Sequence, residues 1–240
     1  MAGTFEDMTT PAREQIRNVS IRAGTATLEA ILGIPKEARG VVLFAHGSGS
    51  SRLSPRNHHV ARQLRIAGLA TVLLDLLSSG EERVDSATGQ LRFDIPLLTE
   101  RLCEATQWAL AEQQLRHMSI AYFGASTGAA AALAAAARMP AVAAIVSRGG
   151  RPDLAGSALE AVRAPTLLIV GGRDHQVLEL NRQALARLSC DARLEIVPGA
   201  THLFEEPGAL DRVASLAAGW FVRHLGDPAA HASSRASVSE

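Results

Sequence analysis

The sequence predicts an α/β protein built on a doubly wound, mostly parallel, eight-stranded sheet with helices on both faces. Short runs rich in Val, Ile and Leu alternate with longer helix-like segments, a pattern typical of buried parallel strands and their crossover helices. The chain has 240 residues and is 47% hydrophobic and 20% charged, which suits one domain with a large core. We predict that domain over residues 14–225, between an N-terminal tail (1–13) and a disordered C-terminal tail (226–240).

The eight strands are predicted from apolar runs that end at glycine, proline or polar residues. They lie near residues 16–22, 27–33, 41–46, 70–76, 118–124, 142–147, 165–170 and 193–198. The first two strands are joined by a short connection, Ala23-Gly24-Thr25, so we expect an antiparallel hairpin at one edge of the sheet. The remaining strands alternate with helices and should run mostly parallel.

Five helices are predicted, near residues 55–67, 97–115, 127–138, 177–189 and 208–224. The alanine-rich third helix is interpreted as a buried helix behind a reactive turn. Residues 78–92 are polar and are predicted to form a loop that could wall a pocket. Between residues 147 and 165 there is room only for a turn and a short helix, so no cap domain is expected.

Charge and composition narrow the classes of partner. The 24 basic and 24 acidic side chains give a formal net charge of zero, so no global field favours nucleic acid or an anionic membrane. No basic start with an apolar run and no membrane-length apolar segment is visible, which favours a cytoplasmic location. Two cysteines, Cys103 and Cys190, are too few for a disulfide framework. The oligomeric state stays open between monomer and homodimer.

The most informative motif is Gly124-Ala125-Ser126-Thr127-Gly128, which follows a predicted strand and opens the alanine-rich helix. This context is that of a nucleophile elbow, a tight turn that exposes a serine hydroxyl. A serine is a poor nucleophile unless a base lies within reach. The two glycines allow strand and helix to approach closely around a strained central residue. We therefore predict that Ser126 is a catalytic nucleophile.

Two further residues stand at strand ends later in the chain. Asp174 follows the predicted strand 165–170, and His202 follows the strand 193–198. The order Ser126, Asp174, His202 is that of the α/β-hydrolase triad and differs from the orders of the two well-known serine protease folds. Asp153, after the preceding strand, is the alternative acid. We predict His202 as the general base and Asp174 as its orienting acid.

The segment 46–50, His-Gly-Ser-Gly-Ser, follows a third apolar strand. Acyl transfer develops negative charge on the carbonyl oxygen, and preset backbone N–H groups stabilise it. We assign this oxyanion hole to the N–H groups of Ser48 and Thr127, the latter at a helix N-terminus that favours an anion. A dinucleotide loop is the alternative interpretation, but the third glycine of that fingerprint is replaced by Arg52.

Taken together, these motifs resemble the small, lidless α/β-hydrolases of the dienelactone-hydrolase-related family, over residues 16–225. The segments that carry the resemblance are 46–50, 91–98, 124–128, 147–154 and 171–174. Dienelactone hydrolases themselves use a cysteine nucleophile, whereas this chain has Ser126. The resemblance therefore implies the fold and ester hydrolysis rather than dienelactone as the substrate.

The predicted activity is hydrolysis of small carboxylic esters through an acyl-enzyme, with no cofactor and no metal. A thioesterase, amidase or acyltransferase would use the same triad, and a non-catalytic ligand-binding module is the alternative of a different class. His46 and Gly47 are candidate substrate contacts. Arg148 and Arg151 are also candidate substrate contacts, since either could hold a substrate carboxylate or instead pair with Asp153.

Overall fold

The computed structural model describes residues 14–225, and the two predicted tails lie outside this range. Eight strands form one sheet in the order β1-β2-β4-β3-β5-β6-β7-β8. Their bounds are β1 Gln15–Ala23, β2 Ala26–Ile34, β3 Gly40–Ala45, β4 Ala70–Leu74, β5 Ser119–Ala125, β6 Val142–Arg148, β7 Thr166–Gly171 and β8 Ala192–Val197. Strands β3 to β8 pair in parallel, and β1 and β2 form the expected antiparallel hairpin at one edge.

Helices cover both faces of the sheet, as predicted for a doubly wound fold. Their bounds are α1 Pro55–Ile66, α2 Ser79–Thr88, α3 Ile95–Ala111, α4 Thr127–Arg138, α5 Ala158–Ala161, α6 His175–Arg187 and α7 Ala209–His224. Buried side chains of α1 and α7 form one core cluster with one face of the central strands. Those of α3 and α4 form a second cluster on the opposite face. Strands β3 to β6 alternate their side chains between the two clusters, so both faces of the central sheet are buried, whereas the edge strands β1 and β8 expose many of their residues.

The segment 78–92 differs from the predicted loop. It contains helix α2 and then a 3-10 turn, Leu91–Phe93. The Ser78 hydroxyl accepts from the Glu81 N–H, and the Glu81 carboxylate accepts from the Ser78 N–H, which is a complete capping box. This S-x-x-E signature was readable in the sequence and predicts a helix start. The composition-based loop prediction was therefore wrong.

The connection from β6 to β7 is short, as predicted. It contains a 3-10 turn, Pro152–Ala155, and the four-residue helix α5, so no separate cap covers the sheet. Strands β3, β5, β6 and β7 are adjacent and end at the same edge, where open α/β sheets bind their ligands. Among residues 14–225, no helix combines the length and apolar character needed to cross a bilayer.

Candidate active site

Ser126 lies at the turn between β5 and α4 in a strained backbone conformation. Its φ of 50° and ψ of −123° are unusual for a residue with a side chain. Neighbouring backbone groups hold this turn: the Ser126 N–H donates to the Arg148 carbonyl at 3.3 Å, and the Ser126 carbonyl accepts from the Arg151 N–H at 3.1 Å. The surrounding structure therefore fixes Ser126 in a conformation that a free chain would seldom adopt.

The two motif glycines are required by close backbone approaches on either side of Ser126. A Cβ atom built on Gly124 would lie 2.5 Å from the Cα atom of Ala129, in the first turn of α4. A Cβ atom built on Gly128 would lie 2.2 Å from the carbonyl oxygen of Ala45, at the end of β3. Both distances are far inside van der Waals contact. Only glycine lets α4 lie this close to the sheet and to the start of the loop 46–50.

His202 and Asp174 come together although 28 residues separate them in sequence. His202 Nδ1 lies 2.7 Å from Asp174 Oδ2, and the carboxylate is 15% exposed against 40% for the imidazole. A carboxylate at Nδ1 favours the tautomer with the proton on that atom, which leaves Nε2 free to accept a proton. The Ser126 hydroxyl makes no hydrogen bond with His202 in this structure, and such bonds often tighten only when substrate binds.

Backbone hydrogen bonds join the loops that carry these two side chains. The Arg173 N–H donates to the Ala200 carbonyl at 2.9 Å. The Glu206 carboxylate accepts from the Thr201 N–H at 3.0 Å, and hydrogen bonding to Thr201 holds the pKa of Glu206 below its usual range. An ionised Glu206 thus fixes the residue directly before His202.

The candidate oxyanion loop, residues 46–50, is held by the ring of His46. His46 Nε2 accepts from the Leu76 N–H at 3.2 Å, and Nδ1 lies 2.9 Å from the Gly47 carbonyl oxygen. Since Nε2 accepts, the proton is assigned to Nδ1, which then donates to Gly47. Gly47 in turn lies against Ser126, because a Cβ atom on it would be 2.9 Å from Ser126 Cβ. His46 therefore positions the loop beside the serine.

A small pocket opens between the oxyanion loop and α2. Its volume of about 10 Å³ is the space of roughly one water molecule. The pocket is lined on the loop side by His46, Gly47, Ser48 and Thr127, and on its apolar side by Leu76, Leu77 and Leu98. Helix α2 and the turn after it contribute Glu82, Asp85 and Arg92. Residues 78–92, predicted as a polar loop that could wall a pocket, contribute these side chains from a helix and a 3-10 turn instead.

Arg148 and Arg151 differ in what they contact. Arg151 forms two hydrogen bonds with the Asp153 carboxylate, at 2.9 and 2.7 Å. The Arg148 side chain is 9% exposed and has no hydrogen-bond partner for one terminal nitrogen within the described residues. Burial, and secondarily the like charge of Arg56, lower the pKa of Arg148 to about 10, so its guanidinium still carries its charge at neutral pH.

The described part of the chain holds no group of three or more His, Cys, Asp or Glu side chains arranged to bind a metal ion. Of the adjacent histidines on α1, His59 contacts Asp211 of α7 through Nε2 at 2.7 Å. Its position is explained by this contact between the two helices.

The sheet order and the strained serine turn define an α/β-hydrolase fold. The chain belongs to the dienelactone hydrolase family, since the family profile matches residues 28–222. The crystal structure of a dienelactone hydrolase from Anabaena variabilis is 56% identical, with a TM-score of 0.88 over 90% of this chain and 100% of that one. Est1E from Butyrivibrio proteoclasticus shares the fold at 15% identity, with a TM-score of 0.72 over 86% of this chain and 98% of its own.

Two curated proteins from strains of Mycobacterium tuberculosis, named as provisional phosphoribosyl transferases, are 52% identical over 219 residues. The match covers 91% of this chain and 48% of each relative, so the chain spans about half their length. The name phosphoribosyl transferase was given to those longer proteins. The family and the fold together support hydrolase activity for the present chain.

Proposed function

We propose that this protein is a serine hydrolase that cleaves small carboxylic esters through a covalent acyl-enzyme. The observation that carries the proposal is the pairing of His202 with Asp174 at the sheet edge where Ser126 occupies its strained turn. His202 removes the proton from Ser126 as the hydroxyl attacks the ester carbonyl, and the same proton then passes to the leaving alcohol. Water attacks the acyl-enzyme in the same way and releases the acid.

The loop 46–50 and the start of α4 stabilise the negative charge on the carbonyl oxygen of the tetrahedral intermediate. The N–H of Thr127 belongs to the first turn of α4, whose N–H groups have no acceptor within the helix. A developing oxyanion there meets both this donor and the positive end of the helix dipole. The sequence assigned the second donor to the Ser48 N–H, which in the structure donates to the Thr127 hydroxyl at 3.0 Å.

The decisive experiment combines labelling with a substrate panel. A fluorophosphonate probe should modify one serine, and peptide mapping should locate it at Ser126. Nitrophenyl esters, matched thioesters and matched anilides then separate an esterase from a thioesterase or an amidase, and added alcohol detects acyl transfer. A protein that is neither labelled nor active on any of these would instead be a ligand-binding member of the family.

The acyl group should be short. No cap covers the sheet edge, and helix α2 with the turn after it contributes Glu82, Asp85 and Arg92 to the neighbouring pocket, so a long acyl chain meets little apolar wall on that side. Each methylene adds about 0.8 kcal/mol only where apolar wall buries it. We expect kcat/KM for nitrophenyl esters to be highest from acetyl to butyryl, without a rate increase when substrate forms an emulsion. Highest activity on emulsified long-chain triglyceride would refute the open, lidless cleft.

We also propose that Arg148, rather than Arg151, contacts a substrate carboxylate. Arg151 is already paired with Asp153, whereas Arg148 lies in β6 opposite Ala125, next to the serine, with an unpartnered nitrogen. The measurement compares two nitrophenyl esters of equal length, one ending in a carboxylate and one in a methyl group. A hydrogen bond between charged groups contributes about 1.5–3 kcal/mol, so Arg148→Met should lower the carboxylate-to-methyl ratio of kcat/KM by about 10- to 100-fold.

The matched control is Arg151→Met, which removes the arginine three residues after Arg148 and should change this ratio by less than about threefold. An equal loss on both esters in Arg148→Met would show that this arginine has a structural role only. A larger effect in Arg151→Met would move the carboxylate contact to that residue.

A further inference from the structure

The Thr127 hydroxyl occupies a position between the two backbone segments assigned to the oxyanion hole. Its Oγ1 atom accepts the N–H of Ser48 at 3.0 Å, across 79 residues of sequence. Thr127 is 3% exposed whereas Ser48 is exposed, so this hydrogen bond is partly buried and lies where the core meets the pocket. The Ser48 N–H therefore already has an acceptor, and that acceptor lines the same small pocket as Ser48 itself.

A hydroxyl that accepts one hydrogen bond keeps its own proton to donate. In threonine, the backbone nitrogen and Oγ1 are three bonds apart, so both donors of Thr127 can point toward one acceptor. The backbone N–H of Thr127 has no acceptor within α4. Thr127 directly follows Ser126, so its N–H and its hydroxyl are both candidate donors to an oxyanion that forms beside Ser126.

We propose that the Thr127 hydroxyl is itself a catalytic donor of the oxyanion hole, and that the Ser48 N–H is a positioning group behind it. The proposal rests on the proposed serine hydrolase activity and refines it. The Ser48 N–H fixes the rotation of the hydroxyl and polarises it, which strengthens the bond that the hydroxyl donates. An O–H donor to an oxyanion forms a short, charge-assisted hydrogen bond and acts without reorganisation during the reaction.

The hydrogen bond from the Ser48 N–H to the Thr127 hydroxyl also allows an opposite role, in which the hydroxyl blocks the oxyanion hole. Thr127 would then have to rotate away before the Ser48 N–H could reach the substrate. The two roles predict opposite effects of removing the hydroxyl: loss of a donor slows the chemical step, whereas loss of a plug accelerates it. The burial of Thr127 and its placement by an N–H donor favour the first role.

The test is Thr127→Val, which keeps the shape of the side chain and removes only its hydroxyl. Removing one oxyanion donor typically lowers kcat by about 10²–10³-fold, so we expect a loss of that order on a short nitrophenyl ester with KM within about twofold. Thr127→Ser keeps the hydroxyl and should stay within about fivefold of the wild-type kcat. The phosphoryl oxygen of the fluorophosphonate occupies the same oxyanion hole. The rate of labelling should therefore fall in Thr127→Val and stay near the wild-type rate in Thr127→Ser.

The matched control is Thr166→Val, at the opposite end of the sheet. Thr166 is fully buried and its hydroxyl donates to the Ala164 carbonyl at 2.9 Å, so this variant also loses a buried threonine hydrogen bond. Its kcat should match the wild type. Thermal unfolding of every variant reports whether the fold is intact, and Thr127→Ala removes the hydroxyl by a second route if Thr127→Val unfolds.

Three results would overturn the proposal. A kcat in Thr127→Val equal to or above the wild type would identify the hydroxyl as a plug or a bystander. An equal loss in Thr127→Ser and Thr127→Val would assign the effect to packing. A rise in KM without a fall in kcat would assign it to substrate binding. Failure of the proposed function is distinct, because wild-type protein would then show neither labelling nor turnover.

Discussion

Ser126→Ala should lower kcat for short nitrophenyl esters by about 10⁴-fold or more, since the members of a catalytic triad act as a unit. The substitution removes the attacking oxygen and leaves the oxyanion loop and the pairing of His202 with Asp174 in place. Residual turnover would come from the hole and from substrate binding. The unfolding temperature is a second measurement. Alanine must adopt the same strained turn, with a φ of 50° at position 126, so the variant should unfold at a temperature close to that of the wild type.

The control for this variant is Ser50→Ala, in the oxyanion loop near the same pocket. It should retain labelling by the fluorophosphonate, whereas Ser126→Ala should lose it. Near-normal turnover in Ser126→Ala would reject the mechanism. Labelling that persists there and disappears in Ser50→Ala would place the nucleophile in the oxyanion loop.

Asp174→Asn should have the second largest effect, a fall in kcat of about 10³–10⁴-fold through loss of the correct His202 tautomer. The Asp174 carboxylate accepts the Nδ1 proton at 2.7 Å, but an amide at this position can also donate to Nδ1. That contact would shift the proton to Nε2 and leave no base facing Ser126. KM should change little, since Asp174 lies behind the imidazole and away from the substrate.

Asp153→Asn is the matched comparison, because both residues follow neighbouring parallel strands. The Asp153 carboxylate is paired with Arg151 at 2.7 Å, so its substitution should cost less than about tenfold in kcat. The reverse ranking of the two variants would reassign the acid. Equal and large losses would indicate that both loops must be intact for His202 to be positioned.

Much of the fold follows from local pattern. Apolar runs, turn residues and helix-like periods depend on neighbours close in sequence, and the eight strands and the edge hairpin appear where these patterns predict them. Helix α2 was missed because its composition is polar, although its Ser78 to Glu81 capping box is an equally local signal. The strained turn at Ser126 is local as well, since the glycines around it carry the steric requirement.

The candidate site also combines features that local pattern predicts with contacts that depend on packing. The amino-acid pattern alone predicts a serine, an aspartate and a histidine at strand ends in the order of an α/β-hydrolase. The folded chain then shows that His202 pairs with Asp174 while Asp153 pairs with Arg151, and that the Ser48 N–H donates to the Thr127 hydroxyl. Apart from the neighbouring Arg151 and Asp153, these contacts join loops far apart along the chain. Their distances depend on how the sheet and its loops pack, which no local pattern encodes.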